Sequence, residues 1–156
     1  MKYQPMIHAS MLELARTGDL GSLRSGMTRE ELRELLGAPP VWGTQQAEDR
    51  ADIWRYGDIE YHFDNLAVSF IFSDHENLTD GGPTLKIDPW VVRRGLSRTE
   101  FQFMLAKQNI HFTVARPQYA DSQCHVTTDS GVVFSFVDEP DEEWDESGLV
   151  SWSMRN

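Results

Sequence analysis

Four side chains near the middle of the sequence, His62, Asp64, Asp74 and His75, are of types that bind metals or move protons. His62 and Asp64 are two apart, so a strand would place both on one face. Asp74-His75 lies at the end of the next apolar run. Imidazole and carboxylate together suit a divalent ion. The spacing matches no HExxH-type motif, however, and a wet strand face is polar in any case. The sequence therefore predicts no bound metal and no other cofactor. Cys124-His125 sets a thiol beside a base, but strand neighbours point to opposite faces, and Cys124 reads as a small core or edge residue. No Gly-x-Ser-x-Gly elbow, phosphate-binding loop or dinucleotide glycine pattern occurs, and no residue is nominated as catalytic.

The acidic run at 138–146 offers a different chemistry. Seven of its nine residues are Asp or Glu, and one is Trp144. Such a run repels itself and stays solvated. A hairpin tip between Val137 and Leu149 accounts for the charge alone. A docking surface accounts for the tryptophan as well: carboxylates steer a basic partner and Trp144 supplies the desolvated anchor. The residues predicted to meet a partner are Asp138, Glu139, Asp141, Glu142, Glu143, Trp144 and Asp145. Glu60, His62 and Asp64 form a second face.

Composition sets the bounds. The 156 residues carry 25 acidic and 14 basic side chains, a formal net charge of -11. This argues against nucleic acid and anionic membranes as partners, since phosphate binding wants Lys and Arg. It suits a basic protein. One cysteine excludes an internal disulfide and a cysteine-rich metal site. The first ten residues have no continuous apolar run, and no stretch approaches the roughly 20 apolar residues of a membrane span. A cytoplasmic location is expected.

The elements that must position these groups fall into a repeating order. At 26–37, Thr28 with Glu31 forms a capping box, Leu32, Leu35 and Leu36 form an apolar stripe, and Gly37 with Pro39-Pro40 stops the helix. Gly95-Leu96-Ser97-Arg98-Thr99-Glu100-Phe101 repeats Gly26-Met27-Thr28-Arg29-Glu30-Glu31-Leu32, with a second box from Ser97 and Glu100 and a stripe of Phe101, Met104 and Leu105. An earlier helix is predicted over 7–16, ended by Thr17-Gly18-Asp19, and 42–52 reads as a loop. Strands are predicted at 53–56 and 59–64, joined by a Gly57-Asp58 turn. In the second of these, Ile59, Tyr61 and Phe63 face the core. At 67–73, Val68, Phe70 and Phe72 are expected on one side. Further strands are predicted at 85–87, 110–115, 124–128, 132–137 and 149–154. Gly57-Asp58-Ile59-Glu60-Tyr61-His62-Phe63 has a counterpart in Gly131-Val132-Val133-Phe134-Ser135-Phe136, and Val68-Ser69-Phe70 in Val150-Ser151-Trp152. The expectation is an α+β fold of two tandem repeats, 1–83 and 84–156, each of short helices packed on an antiparallel β-sheet.

The segment from Gly26 through Pro39, followed by Trp54-Arg55-Tyr56-Gly57, resembles the helix-pair-plus-sheet unit of two groups. One is the small lipoprotein family of the outer-membrane β-barrel assembly machinery (SmpA/OmlA-like). The other is the β-lactamase inhibitory protein family, which carries the unit twice. The stretch from Asp52 to Phe63 is similar to short uncharacterised bacterial proteins from toxin–immunity neighbourhoods. The resemblance implies a non-catalytic inhibitor or adaptor. The sharpest expectation is an immunity protein that neutralises a cognate basic toxin, a nuclease or deaminase, through an acidic surface. A structural or assembly adaptor and a small hydrolase are the alternatives.

Overall fold

The computed structural model describes residues 5–43, 46–118, 122–140 and 146–155. In chain order the elements are β1 (Ile7–Ser10), α1 (Met11–Thr17), α2 (Arg29–Leu36), β2 (Val41–Trp42), a 3₁₀ turn (Glu48–Arg50), β3 (Ile53–Tyr56), β4 (Ile59–Asp64), β5 (Ala67–Ser73), β6 (Leu85–Asp88), α3 (Arg98–Lys107), β7 (Phe112–Ala115), β8 (Gln123–Thr128), β9 (Val133–Val137) and β10 (Gly148–Arg155). The architecture is α+β and mostly sheet. Eight strands form one antiparallel sheet in the order β2-β3-β4-β5-β10-β9-β8-β7, and β1 pairs with β6 as a separate parallel ribbon. Among the described residues no helix is long and apolar enough to cross a membrane.

The sheet consists of two meanders, β2 to β5 and β7 to β10, joined where β5 and β10 run antiparallel with Trp152 opposite Ser73. The entry to each long helix is pinned in the same way. Gly26 N–H donates to the Val68 carbonyl and Val68 N–H to that of Met27, both at 2.7 Å. Gly95 N–H donates to the Leu149 carbonyl at 2.9 Å, and Leu149 N–H to that of Leu96 at 2.8 Å. Both glycines need positive φ, +94° and +87°, to turn the chain into the following cap. Leu149 therefore occupies the place of Val68, one residue earlier than the sequence match suggested.

Capping decides where the helices begin. Thr28 and Glu31 close a reciprocal box at α2. At α3 the Ser97 hydroxyl accepts from Glu100 N–H, but the Glu100 carboxylate lies 3.7 Å from Arg93 instead of reaching back. Gly37 ends α2 at φ +85° with extended ψ, so it stops the helix without the left-handed turn expected of it. The helix predicted over 7–16 starts four residues late. Ser10 accepts from Glu13 N–H and fixes the start at Met11, while Ile7 to Ser10 pair with Leu85 to Asp88. That pairing also joins the first predicted unit to the second. The stretch read as a loop at 42–52 holds the end of β2 and the 3₁₀ turn.

Helices α2 and α3 cover one sheet face. Leu32, Leu36, Phe101 and Leu105 are buried in the same cluster as Trp54, Tyr61, Phe63, Phe134, Phe136 and Trp152. Each such side chain contributes about 1.5–3 kcal/mol on burial. Arg33 and Arg29 stack over Trp54 and Phe63 with their guanidinium carbons 5.1 and 4.2 Å from the ring centres. Trp54 and Trp152 satisfy their indole N–H groups on the carbonyls of Glu48 and Leu78.

Candidate functional site

Among the described residues, no helix covers the opposite face of the sheet. Alternation within the strands sends Glu60 and His62 to it while Ile59, Tyr61 and Phe63 stay in the core. The cross-strand registers then build rows. Ile53, His62, Phe70 and Arg155 lie side by side, as do Arg55, Glu60, Phe72, Ser153, Val133 and Thr127. Ser151, Ser135 and His125 form a third row. The small serines leave a groove of about 630 Å³ whose walls include Phe72, Asp74, His125, Ser151 and Arg155.

Phe70 and Phe72 are the main departure from the sequence expectation, which placed them with Val68. A register shift between His62 and Phe63 inserts one extra residue in β5. Val68 then faces the core with Ile71, and Phe70 and Phe72 swing to the open face half-buried. Their rings stack at 5.2 Å, His62 meets both edge-on, and the Arg155 guanidinium carbon lies 4.6 Å from the Phe70 centre.

Beside these rings the carboxylate of Glu60 lies between two imidazoles. Its Oε2 is 2.9 Å from His75 Nε2 and its Oε1 is 3.3 Å from His62 Nε2. The second contact lacks hydrogen-bond geometry, so this buried nitrogen has no hydrogen-bond partner among the described residues. Asp74 Oδ1 lies 3.7 Å from His75 Nε2. Arg94 holds this turn from below, donating to the carbonyls of Asp74 at 2.9 Å and His75 at 3.1 Å and pairing with Glu146. Of the four side chains weighed in the sequence, Asp74 and His75 thus converge with Glu60, and His62 sits alongside. Asp64 is exposed at the end of β4 and lies outside the group. Cys124 is buried and His125 faces the groove, as strand alternation requires. Burial disfavours the charged form of His125 and lowers its pKa.

In the acidic run, Asp141, Glu142, Glu143, Trp144 and Asp145 lie outside the described residues. Glu139 is exposed. Asp138 is clamped: Arg98 Nε lies 3.0 Å from its Oδ1 and an Arg116 nitrogen 2.5 Å from its Oδ2. Arg29 and Arg98 sit at matching helix positions, and Arg29 donates to the Asn65 carbonyl after β4 just as Arg98 reaches Asp138 after β9. The clamp thus ties α3 to the end of its own hairpin. Burial raises the Asp138 pKa, but the hydrogen bonds and charges of Arg98 and Arg116 outweigh it, and the net shift is downward. A depressed folded-state pKa gives stability that is complete above the ordinary aspartate range and lost as pH falls through the folded value. Asp138→Asn should therefore cost about 1–2 kcal/mol at neutral pH, discounted because Arg116 is half exposed. Urea unfolding of both proteins should show the difference vanish in strong acid. An equal difference at every pH would show that the carboxylate charge contributes nothing.

The aromatic pair, the Arg94 brace and the Asp138 clamp were not found from the sequence. The bulge depends on register across two strands, and the partners of both arginines lie far away in the chain. The GMTREEL and GLSRTEF matches were the available signal for the two helix entries. No protein-family model, curated protein or solved structure matches the chain.

Proposed function

We propose that the chain is a non-catalytic binding protein that docks a basic partner on the open sheet face and the acidic run at 138–146. The observation that carries this reading is the placement of Phe70 and Phe72. Two large stacked rings stand half-exposed on a face that none of the helices covers, next to Glu60, His62 and Asp74. Interfaces favour such a desolvated aromatic centre with a polar rim. The net charge of -11 would speed the approach of a cationic protein. The sharpest form of the reading is an immunity protein that neutralises a cognate toxin, a basic nuclease or deaminase, with its carboxylates taking the place of substrate phosphates. The matching anchor bonds at Gly26-Met27 and Gly95-Leu96 support a second part of the reading, that the two meanders are diverged copies of one unit.

The test is capture of partners from the native host lysate at low and high salt, followed by kinetics with the captured protein. A basic partner lost at high salt is expected. Phe72→Ala should raise Kd at least about tenfold through faster dissociation, as for an interface anchor. Asp64→Lys should slow association. Trp144→Ala reads the acidic run separately. Unchanged rates in Phe72→Ala and Asp64→Lys would remove the open face from the interface. A second reading, an assembly module, draws on the exposed Val41, Trp42 and Val114 along the outer strands β2 and β7. Self-association of the purified chain in light scattering, with no foreign partner, would favour it.

A further inference from the structure

We propose that Glu60, Asp74 and His75 form a binding site for a divalent transition-metal ion of the zinc class, at the margin of the open sheet face. The inference runs against the sequence expectation and does not rest on the binding reading above. A four- to six-coordinate ion with bonds of about 2.0–2.2 Å holds neighbouring ligand atoms about 3–3.5 Å apart. The His75–Glu60 and His75–Asp74 separations, 2.9 Å and 3.7 Å, bracket that spacing. The donor atoms of Glu60, Asp74 and His75 all lie within 4.8 Å of one another.

An ordinary histidine–carboxylate pair explains only the 2.9 Å contact. It leaves unexplained why a second carboxylate turns toward the same imidazole nitrogen. An ion held by Glu60, Asp74 and His75 accounts for that convergence. An imidazole beside two carboxylates suits zinc, cobalt or nickel better than magnesium or calcium, which take oxygen-only shells. The supporting shell is also in place. Arg94 fixes the Asp74-His75 turn through two backbone carbonyls, and β4 fixes Glu60 by its pairing to Arg55 and Phe72. Such outer contacts are what hold ligands at the right spacing.

The test uses the full chain, freed of metal with a chelator and titrated with Zn²⁺ alone, then with Co²⁺. One equivalent of Zn²⁺ per chain is expected, with a rise in thermal midpoint that follows Zn²⁺ concentration. Co²⁺ should give the visible absorption of a low-coordinate site. His75→Ala and Glu60→Gln should each weaken Zn²⁺ affinity at least about tenfold, whereas His111→Ala, on the exposed start of the β7 segment, should not. Should a ligand variant fail to fold, the imidazole ¹⁵N signals of the native chain decide the matter. His75 must shift on adding Zn²⁺ while His111 stays in place. No saturable binding, or binding that leaves the His75 signals unmoved, would overturn the assignment. Loss of Zn²⁺ binding with intact partner capture, or the reverse, keeps this inference separate from the docking reading.

Discussion

Phe101→Ala is expected to lower the free energy of unfolding by about 3–5 kcal/mol, and to do so across the whole sheet at once. Phe101 is fully buried on α3, with ring centres of Phe134 at 4.5 Å, Phe136 at 5.6 Å and Trp90 at 6.0 Å. Truncation removes the ring that seats the helix on β9, and Phe134 and Phe136 are themselves held by the sheet and cannot collapse into the gap. The loss should spread because the two meanders share a strand seam at β5 and β10 and a single buried cluster. Native-state hydrogen exchange reads this directly. Amides of Tyr61 in the first meander and Val126 in the second should report one opening free energy, reduced equally by the substitution. Retained protection at Tyr61 with loss at Val126 would mean that the halves unfold separately.

What the sequence revealed about this fold was local. The Thr28-Glu31 box, the Leu32 and Leu36 stripe and the alternation of Ile59, Tyr61 and Phe63 against Glu60 and His62 each depend on residues within a turn or along one strand. Their outcomes followed from periodicity and capping alone. The features that shape the candidate site are pairings between distant segments. The β1–β6 ribbon joins Ile7 to Leu85, and it turned the first four residues of an expected helix into a strand. The bulge in β5 reversed Phe70 and Phe72 because two strands had to come into register around Phe63 and Val68. Sequence reading put His62 on a wet face, but could not put Asp74 and His75 around Glu60. That depends on where Arg94 holds their turn. Within the acidic run, charge patterning treated Asp138 like its neighbours, although Arg98, forty residues earlier, was waiting for it.

Gly148→Ala tests the other constraint on that arrangement and should cost about 2–5 kcal/mol. Gly148 adopts φ +93°, which costs an L-residue about 1–2 kcal/mol. It also has no room for a side chain. A Cβ there would fall within 2.4 Å of the Gly95 carbonyl carbon and oxygen, and backbone cannot swing aside as a flexible side chain can. Overpacking of this kind adds about 1–3 kcal/mol. Gly131→Ala is the control, because Gly131 has φ +94° and nothing within 4 Å of its added Cβ. It should show the conformational cost alone. If the two variants unfold at the same denaturant concentration, the close approach of Gly95 and Gly148 is not a constraint. If Gly148→Ala is the weaker, as expected, the damage should reach the open face. Gly95 is anchored to Leu149 and followed by the α3 cap, and Arg94 beside it holds the carbonyls of Asp74 and His75. A residue on the far side of β10 from Glu60 would then control how the carboxylates and imidazoles converge, through backbone contact rather than charge.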